Sequence, residues 1–436
     1  MIARFFHFDE NGTNYRREVT AGVTTFLAMA YILFVNPSIL AAAGMPKDAV
    51  FTATAISAII GCLLMALVAN YPVAIAPSMG LNAFFAYSVV VAMHVPWQTA
   101  LVGVLLSGII FVIITSLKIR EMILNAIPKD LKMAAASGIG LFIAFIGFEN
   151  SGIVVTNKAT LVSLGDLTSP GTLLTIFGLV VSIILMVRKV PGAIFFGMVL
   201  TTIVGILTHV IPAPSSIIGA VPSLGPVFGV SISQIFADPS HVFTYKLLIV
   251  VLTFLFVEFF DTAGTLMAIA TQAGLIKDNK MINGSRALLA DSSSIIFGAI
   301  LGTSPTTSYI ESSSGVASGG RTGFTSIITA VLFLLALLFS PLLTVVTGNV
   351  TAPALIIVGV LMASSLGNIE WNKLEMAVPA FLTIVIMPLT YSVANGIALG
   401  LVMYPITMVV RGRAKELHPI MYGLFVVFIL YFAFLA

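Results

Sequence analysis

The sequence predicts an all-α polytopic membrane protein built from two inverted halves, and three observations carry that prediction. The 436 residues are 59% hydrophobic and only 8% charged, with a mean hydropathy of +1.11. A water-exposed surface is normally covered with about 25% charged residues. Apolar runs of about 20 residues, the length that crosses a bilayer roughly 30 Å thick, recur from end to end. Two of the apolar segments are too short, and each is interrupted by polar or Gly/Pro-rich sequence at a matching place in its half.

In chain order the apolar segments fall at 19–42, 49–70, 81–94, 97–119, 133–149, 171–188 and 192–211. A second series follows at 244–273, 285–302, 309–319, 323–347, 350–366, 375–391 and 394–411, with a further segment at 418–435. That last one is either an additional span or a helix lying along the interface. The polar N-terminus "HFDENGTNYRREVT" runs straight into the first span, so no cleavable leader is expected. The stretch 212–243, rich in Pro, Gly and Ser, reads as the linker between the halves. Cys62 is the single cysteine and sits in an apolar run, which excludes disulfides and cysteine-based metal sites.

Lysine and arginine set the orientation. With the N-terminus in the cytoplasm, Arg4, Arg16, Arg17, Lys118, Arg120, Lys129, Lys132, Arg188, Lys189, Lys277, Lys280, Arg286 and Arg321 all fall inside, and little beyond Lys47, Lys158 and Lys246 falls outside. No basic, aromatic-interleaved face suggests nucleic acid. Neither a histidine or cysteine pair at metal-ligand spacing nor a phosphate loop is present.

The two short elements are "NYPVAIAPSMGLNAFF" (70–85) and "LGTSPTTSYIESSSGVASGGRTG" (301–323). Non-helical backbone at membrane depth survives only when it is buried in protein or lines a polar cavity. Each is the third hydrophobic element of its half. Seven spans precede the second half, which inverts it relative to the first. Paired broken segments in inverted halves point to a transporter with its site at the repeat interface.

Buried carboxylates mark the candidate site. "TFLFVEFFDTAGTLMAIATQAG" carries Glu258 and Asp261 three residues apart, and Thr265 four further on, so all three share one helical face. An acid at mid-bilayer costs roughly 2.5–3.5 kcal/mol on insertion scales and is by default functional. A purely packing role, sealing a contact with serines or backbone amides, is the plain alternative. Glu311, followed by Ser312, is a third buried acid; its plain role is to cap the helix that begins there. Asn82, at the equivalent place in the first half, offers a donor and an acceptor. Phe84 and Tyr309 flank these polar positions and would sandwich a planar ligand, or simply serve the core. Asp291 either bridges Arg286 or contacts the polar centre. Glu149, Asn150, His209, Asp238 and His241 read as surface groups. The set suits a small, flat, neutral, hydrogen-bonding solute. It would also suit a bare cation.

Four stretches, "FHFDENGTNYRREVTAGVTTFLAMAYILFVNPSIL", "APSMGLNAFFAYSV", "VEFFDTAGTL" and "GTSPTTSYIESSSGVASGGRTG", resemble the AzgA-like purine permeases of the nucleobase–ascorbate transporter superfamily, from about residue 5 to the C-terminus. The resemblance implies about fourteen transmembrane helices as two inverted sevens, with elements 3 and 10 each a short strand plus a half-helix. It implies a core domain (17–120 and 244–348) and a gate domain (121–212 and 349–436), joined by the linker 213–243. It further implies import of adenine, guanine or hypoxanthine with protons, by alternating access. Asp261, Glu311, Asn82, Phe84, Tyr309, Ser312 and Thr265 are then the substrate residues, with Glu258 and Asp261 in proton coupling. The expectation is a proton-coupled purine carrier of the inner (plasma) membrane, N-terminus cytoplasmic, with pairing through its gate domain as an open option, without cofactor or enzymatic activity. A cation transporter or channel that uses the acids as ion ligands is the rival. An intramembrane aspartyl protease is disfavoured because Glu258 and Asp261 lie on one turn rather than on facing helices.

Overall fold

The computed structural model describes residues 2–117, 127–237, 239–242, 244–277 and 280–434. Within these, the side chains of Ser240, His241, Phe260, Asp261, Ala263, Gly264, Lys277, Lys280, Tyr431 and Phe434 lie outside the described set. Lys118, Arg120 and Asp238, singled out above, lie outside the described residues altogether.

The first set of elements comprises α1 (Tyr15–Met29) and α2 (Ile32–Ala42), which share one span, then α3 (Lys47–Leu64), β1 (Ile75–Pro77), α4 (Met79–Ala83), α5 (Trp97–Ser116) and α6 (Lys129–Asn150). A hairpin of β2 (Val154–Asn157) and β3 (Leu161–Leu164) follows, then α7 (Pro170–Val187) and α8 (Ala193–Leu207). The linker between the halves contains a helix, α9 (Val230–Ala237), which packs on α5 and is therefore part of the folded body. The second set is α10 (Tyr245–Gln272), α11 (Gly284–Leu301), β4 (Thr306–Ser308), α12 (Ser312–Ala317), α13 (Gly323–Ala336), α14 (Gly348–Ala363), α15 (Leu374–Leu389) and α16 (Val393–Val410). Last comes α17 (Pro419–Phe434), which packs on α16 and sets Phe428 against Phe256, ring centroids 5.7 Å apart. Among the described residues eight helices are long and apolar enough to cross a membrane. The strand-plus-half-helix unit occurs once in each set, as predicted.

Packing gathers the elements into two bodies. In one, α13 lies on α1 and α3, and α11 lies on α3 and α5. In the other, α6 packs on α14 and α15, and α7 on α8 and α14. Lipid gives helices no hydrophobic reason to associate, so close backbone approach through small residues must supply the contact. At the α6–α14 crossing a Cβ on Gly359 would stand 2.5 Å from the Gly140 carbonyl oxygen, so any larger residue would force the helices apart. Beyond α16, Arg413 forks onto Glu416 at 2.7 and 2.8 Å and reaches Glu375 at 2.8 Å. The guanidinium holds the Glu416 carboxyl below the ordinary carboxylate range.

Segment breaks have identifiable causes. The α3 span ends in wider π-type turns (Met65–Ala69) and stops at Asn70, which takes the left-handed conformation at φ 57° that asparagine tolerates. The Asn70 side chain then accepts from the Gly323 amide at 2.8 Å and caps α13. Glu18 reinforces the same end. Fully buried on α1, it accepts from the amides of Arg321 (3.0 Å) and Thr325 (3.2 Å) and from the Thr325 hydroxyl (2.6 Å).

Replacing Glu18 with alanine strips those buried donors of their acceptor, at about 1–3 kcal/mol for each donor left unsatisfied. The thermal midpoint of the detergent-solubilised protein is expected to fall well below that of the wild type. An unchanged midpoint would contradict the capping role.

Candidate functional site

The site is built where the two broken segments meet. Pro72 and Pro77 withhold amide donors from a helix, and the Gly/Ser/Thr run at 302–308 has weak helix propensity, so both stretches run extended. They satisfy each other. β1 and β4 pair antiparallel, with Ile75 opposite Ser308, Ala76 opposite Thr307 and Pro77 opposite Thr306. The flanking amides of Ser78 and Tyr309 donate to Pro305 and Ala74 carbonyls, each at 2.9 Å. The Tyr309 hydroxyl donates to the Pro77 carbonyl, and the Ala74 amide to Ser312 Oγ at 3.0 Å.

A cavity of about 80 Å3 with several polar residues in its wall opens beside this crossing. Its wall combines Tyr31, Ser78, Gly80, Thr265, Tyr309 and Glu311 from one body with Val358 and Met362 from the other. The Tyr31 hydroxyl donates to Glu311 at 2.6 Å across a separation of 280 residues and fixes that carboxylate at the cavity edge. Met79 and Gly80, in the first turn of α4 where amides have no intrahelical acceptor, also line the cavity. A much larger cleft of 650 Å3 between α1, α2, α8 and α13 has an almost wholly apolar lining and offers nothing to orient a polar solute.

Behind the strands lies a second polar layer. Asn36 donates to Thr54 (2.8 Å) and Thr303 (2.9 Å), and its carbonyl oxygen accepts from Asn82 (3.0 Å) and Ser304 (3.3 Å). On the α10 side, Asp291 accepts from Thr262 and from both the amide and hydroxyl of Ser308.

The predicted residues separate by depth. Glu311, Tyr309 and Thr265 line the cavity. Ser312 lies just behind, tying β1 to α12. Asn82 is fully buried against Asn36, and Phe84 is fully buried edge-on to Phe254 at 5.1 Å; neither is in the cavity wall. Glu258 is buried one turn before Asp261 on α10, and the Asp261 side chain lies outside the described residues. Of the two roles open to Asp291, the structure places it at the polar centre. Sequence reasoning missed Tyr31, Ser78, Asn36 and Glu18. A single polar residue inside an apolar span was the only local signal for Tyr31 and Asn36, and it names no partner; Glu18 sits in the charged stretch before the first span, where an acid reads as a surface group.

Tyr391, between α15 and α16, is where Tyr87 and Ser88, which lie between α4 and α5, meet the second body. The Tyr391 hydroxyl donates to Glu149. The Tyr391 ring packs edge-on against Phe142 (5.5 Å), Phe145 (5.7 Å) and Tyr87 (5.9 Å). Ser88 donates to the Tyr391 carbonyl at 3.0 Å. Ile310, in the cavity wall, is 47% exposed.

A model described as the permease family matches residues 16–399. The guanine/hypoxanthine permease PbuG of Bacillus subtilis is 60% identical over 99% of this chain and 99% of its own length. The adenine permease AdeP of Escherichia coli is 43% identical over 100% of this chain and 96% of its own. Among solved structures, the transmembrane domain of the cyanobacterial bicarbonate transporter BicA superposes with a TM-score of 0.67 at 17% identity, covering 88% of this chain and 97% of that one. At that identity the likeness shows the fold alone.

A cysteine introduced at Ile310 is expected to react readily with a soluble maleimide in the folded protein, whereas native Cys62, fully buried, stays unlabelled until denaturation. Equal labelling rates for the two would contradict the exposure of Ile310.

Proposed function

The chain belongs to the permease family, in its AzgA-like purine branch, and from that premise we propose that it is a proton-coupled carrier taking up guanine, hypoxanthine or adenine. The single observation that carries the substrate is the 60% identity, over nearly the whole of both chains, to a guanine/hypoxanthine permease. The chemistry of the site supports it. A purine presents ring N–H donors and ring-nitrogen acceptors in one plane. Glu311, oriented by Tyr31, and Asp261, on the α10 face that also carries Thr265, accept from the ring N–H groups. Backbone amides at the start of α4 donate to ring acceptors. Asn82, Phe84 and Ser312 act from behind this wall and hold the strands and α4 in place. Glu258 and Asp261 carry the proton, as buried acids in transporter helices do.

Alternating access is the proposed motion, with the core (17–120 and 244–348) moving against the gate (121–212 and 349–436). Two observations support it. The cavity wall draws on both bodies, and at about 80 Å3 it falls short of the roughly 300–1,000 Å3 of typical small-molecule pockets. The bodies are joined through Tyr391, whose ring meets Tyr87 and whose carbonyl accepts from Ser88. The proposal places the carrier in the plasma membrane with its N-terminus cytoplasmic. Pairing of two copies through the gate, without cofactor or nucleic acid, completes the proposal.

The cation reading is disfavoured by the 60% identity to a guanine/hypoxanthine permease. In cells stripped of their own purine carriers, labelled hypoxanthine uptake is expected to be cancelled by an uncoupler, competed by guanine, and reduced at least a hundredfold by Asp261→Asn at equal membrane expression. Uncoupler-insensitive uptake would remove proton coupling. Absence of any purine uptake by well-expressed wild type would favour the cation reading.

A further inference from the structure

Asp291 has no place in the proposed substrate contacts or proton path, yet it is a fully buried carboxylate in the midst of them. Its two oxygens accept bonds from two different elements. One accepts from the Ser308 amide (2.9 Å) and the Ser308 hydroxyl (2.8 Å), both on β4. The other accepts from the Thr262 hydroxyl (2.9 Å) on α10. Ser308 is followed by Tyr309 and, three positions on, by Glu311; Thr262 is the immediate neighbour of Asp261. Further contacts from α11 brace the same strand. Ser294 donates to the Asp291 carbonyl at 2.6 Å and stands 2.7 Å from the Thr306 hydroxyl. Ser292 ties α11 to α5 through Thr115 at 3.2 Å.

We propose that Asp291 is a positioning residue: it sets the spacing between the α10 segment bearing Asp261 and the β4–α12 segment bearing Glu311, and so fixes how the two acids meet one planar solute. This rests on the purine reading given above. A carboxylate is the side chain that can do it, because it alone accepts from three donors at once without presenting a hydrogen of its own. One of those donors is a backbone amide, which cannot turn away. Charge-assisted bonds at a dry site are also the strong ones, so the spacing is held stiffly. A purine's two ring N–H positions are fixed relative to each other, and a shift of about 1 Å in either acid is enough to cost affinity.

The test compares hypoxanthine uptake kinetics of wild type, Asp291→Asn, Thr262→Val and Thr262→Ser at equal surface expression. Asp291→Asn is expected to raise KM roughly tenfold, with a smaller fall in maximal rate and uncoupler sensitivity retained. Thr262→Val should move KM in the same direction by less, and Thr262→Ser, which keeps the hydroxyl, should restore it. Should Asp291→Asn fail to fold, the Thr262 pair carries the comparison. An unchanged KM in Asp291→Asn or Thr262→Val overturns the proposal. So does uptake that survives the uncoupler in Asp291→Asn, since that would make Asp291 a proton carrier. Absence of purine uptake by wild type defeats the transport reading instead. A separate readout then still decides the positioning claim: the maleimide labelling rate of Ile310→Cys is expected to change several-fold when Asp291→Asn is added, and an unchanged rate overturns it.

Discussion

Three residues from each half of the chain, Ile75–Pro77 and Thr306–Ser308, form a two-stranded antiparallel ladder at a depth where neither lipid nor water serves the backbone. An unpaired amide or carbonyl in such a place costs several kcal/mol. The two extended segments can therefore exist only as partners, and this requirement locks the halves together at the site. It also explains the inversion. The strands run antiparallel, and so they come from elements that cross the membrane in opposite senses. The half-helices α4 and α12 start on either side of that crossing and carry their first-turn groups to one small volume.

What surrounds the ladder exists to keep it there. Asn36 joins α2, α3, the start of α4 and the loop before β4 through four hydrogen bonds. Ser326 donates to the Tyr71 and Val73 carbonyls just before β1, each at 2.9 Å. Glu18 and Asn70 cap α13, and Gly315 lets α12 close on α1, where a Cβ would stand 2.0 Å from Thr25 Oγ1. The second body touches this assembly lightly by comparison. Its contributions to the cavity are the apolar Val358 and Met362. The polar network around the ladder, with Glu311 at its edge, therefore meets an apolar wall across the cavity.

Much of this was legible in the amino-acid sequence because the constraint is local in its signature. Prolines at 72 and 77 and the Gly/Ser/Thr run at 302–308 cannot continue a spanning helix, so the broken elements and their symmetry could be read directly. Glu311 was legible for the same reason, as an acid at membrane depth. The groups that orient these residues were not. Tyr31 meets Glu311 from 280 positions away, and Asn36 meets Thr303 from 267 away. A lone tyrosine or asparagine in an apolar span has no periodicity to announce such a partner. Phe84 shows the converse limit. Its place beside Asn82 suggested a stacking surface, but spacing does not reveal direction, and the ring packs on Phe254.

The central claim is that the β1–β4 crossing, with Glu311 held by Tyr31 at its edge, is where a planar solute binds. Titration of the purified protein with hypoxanthine, comparing wild type with Glu311→Gln and Tyr31→Phe, tests it most directly. Wild type should bind saturably, Glu311→Gln should weaken binding at least tenfold, and Tyr31→Phe should weaken it by a smaller factor, in keeping with the loss of one bond to a charged acceptor. Undiminished binding by Glu311→Gln would place the solute elsewhere and contradict the account.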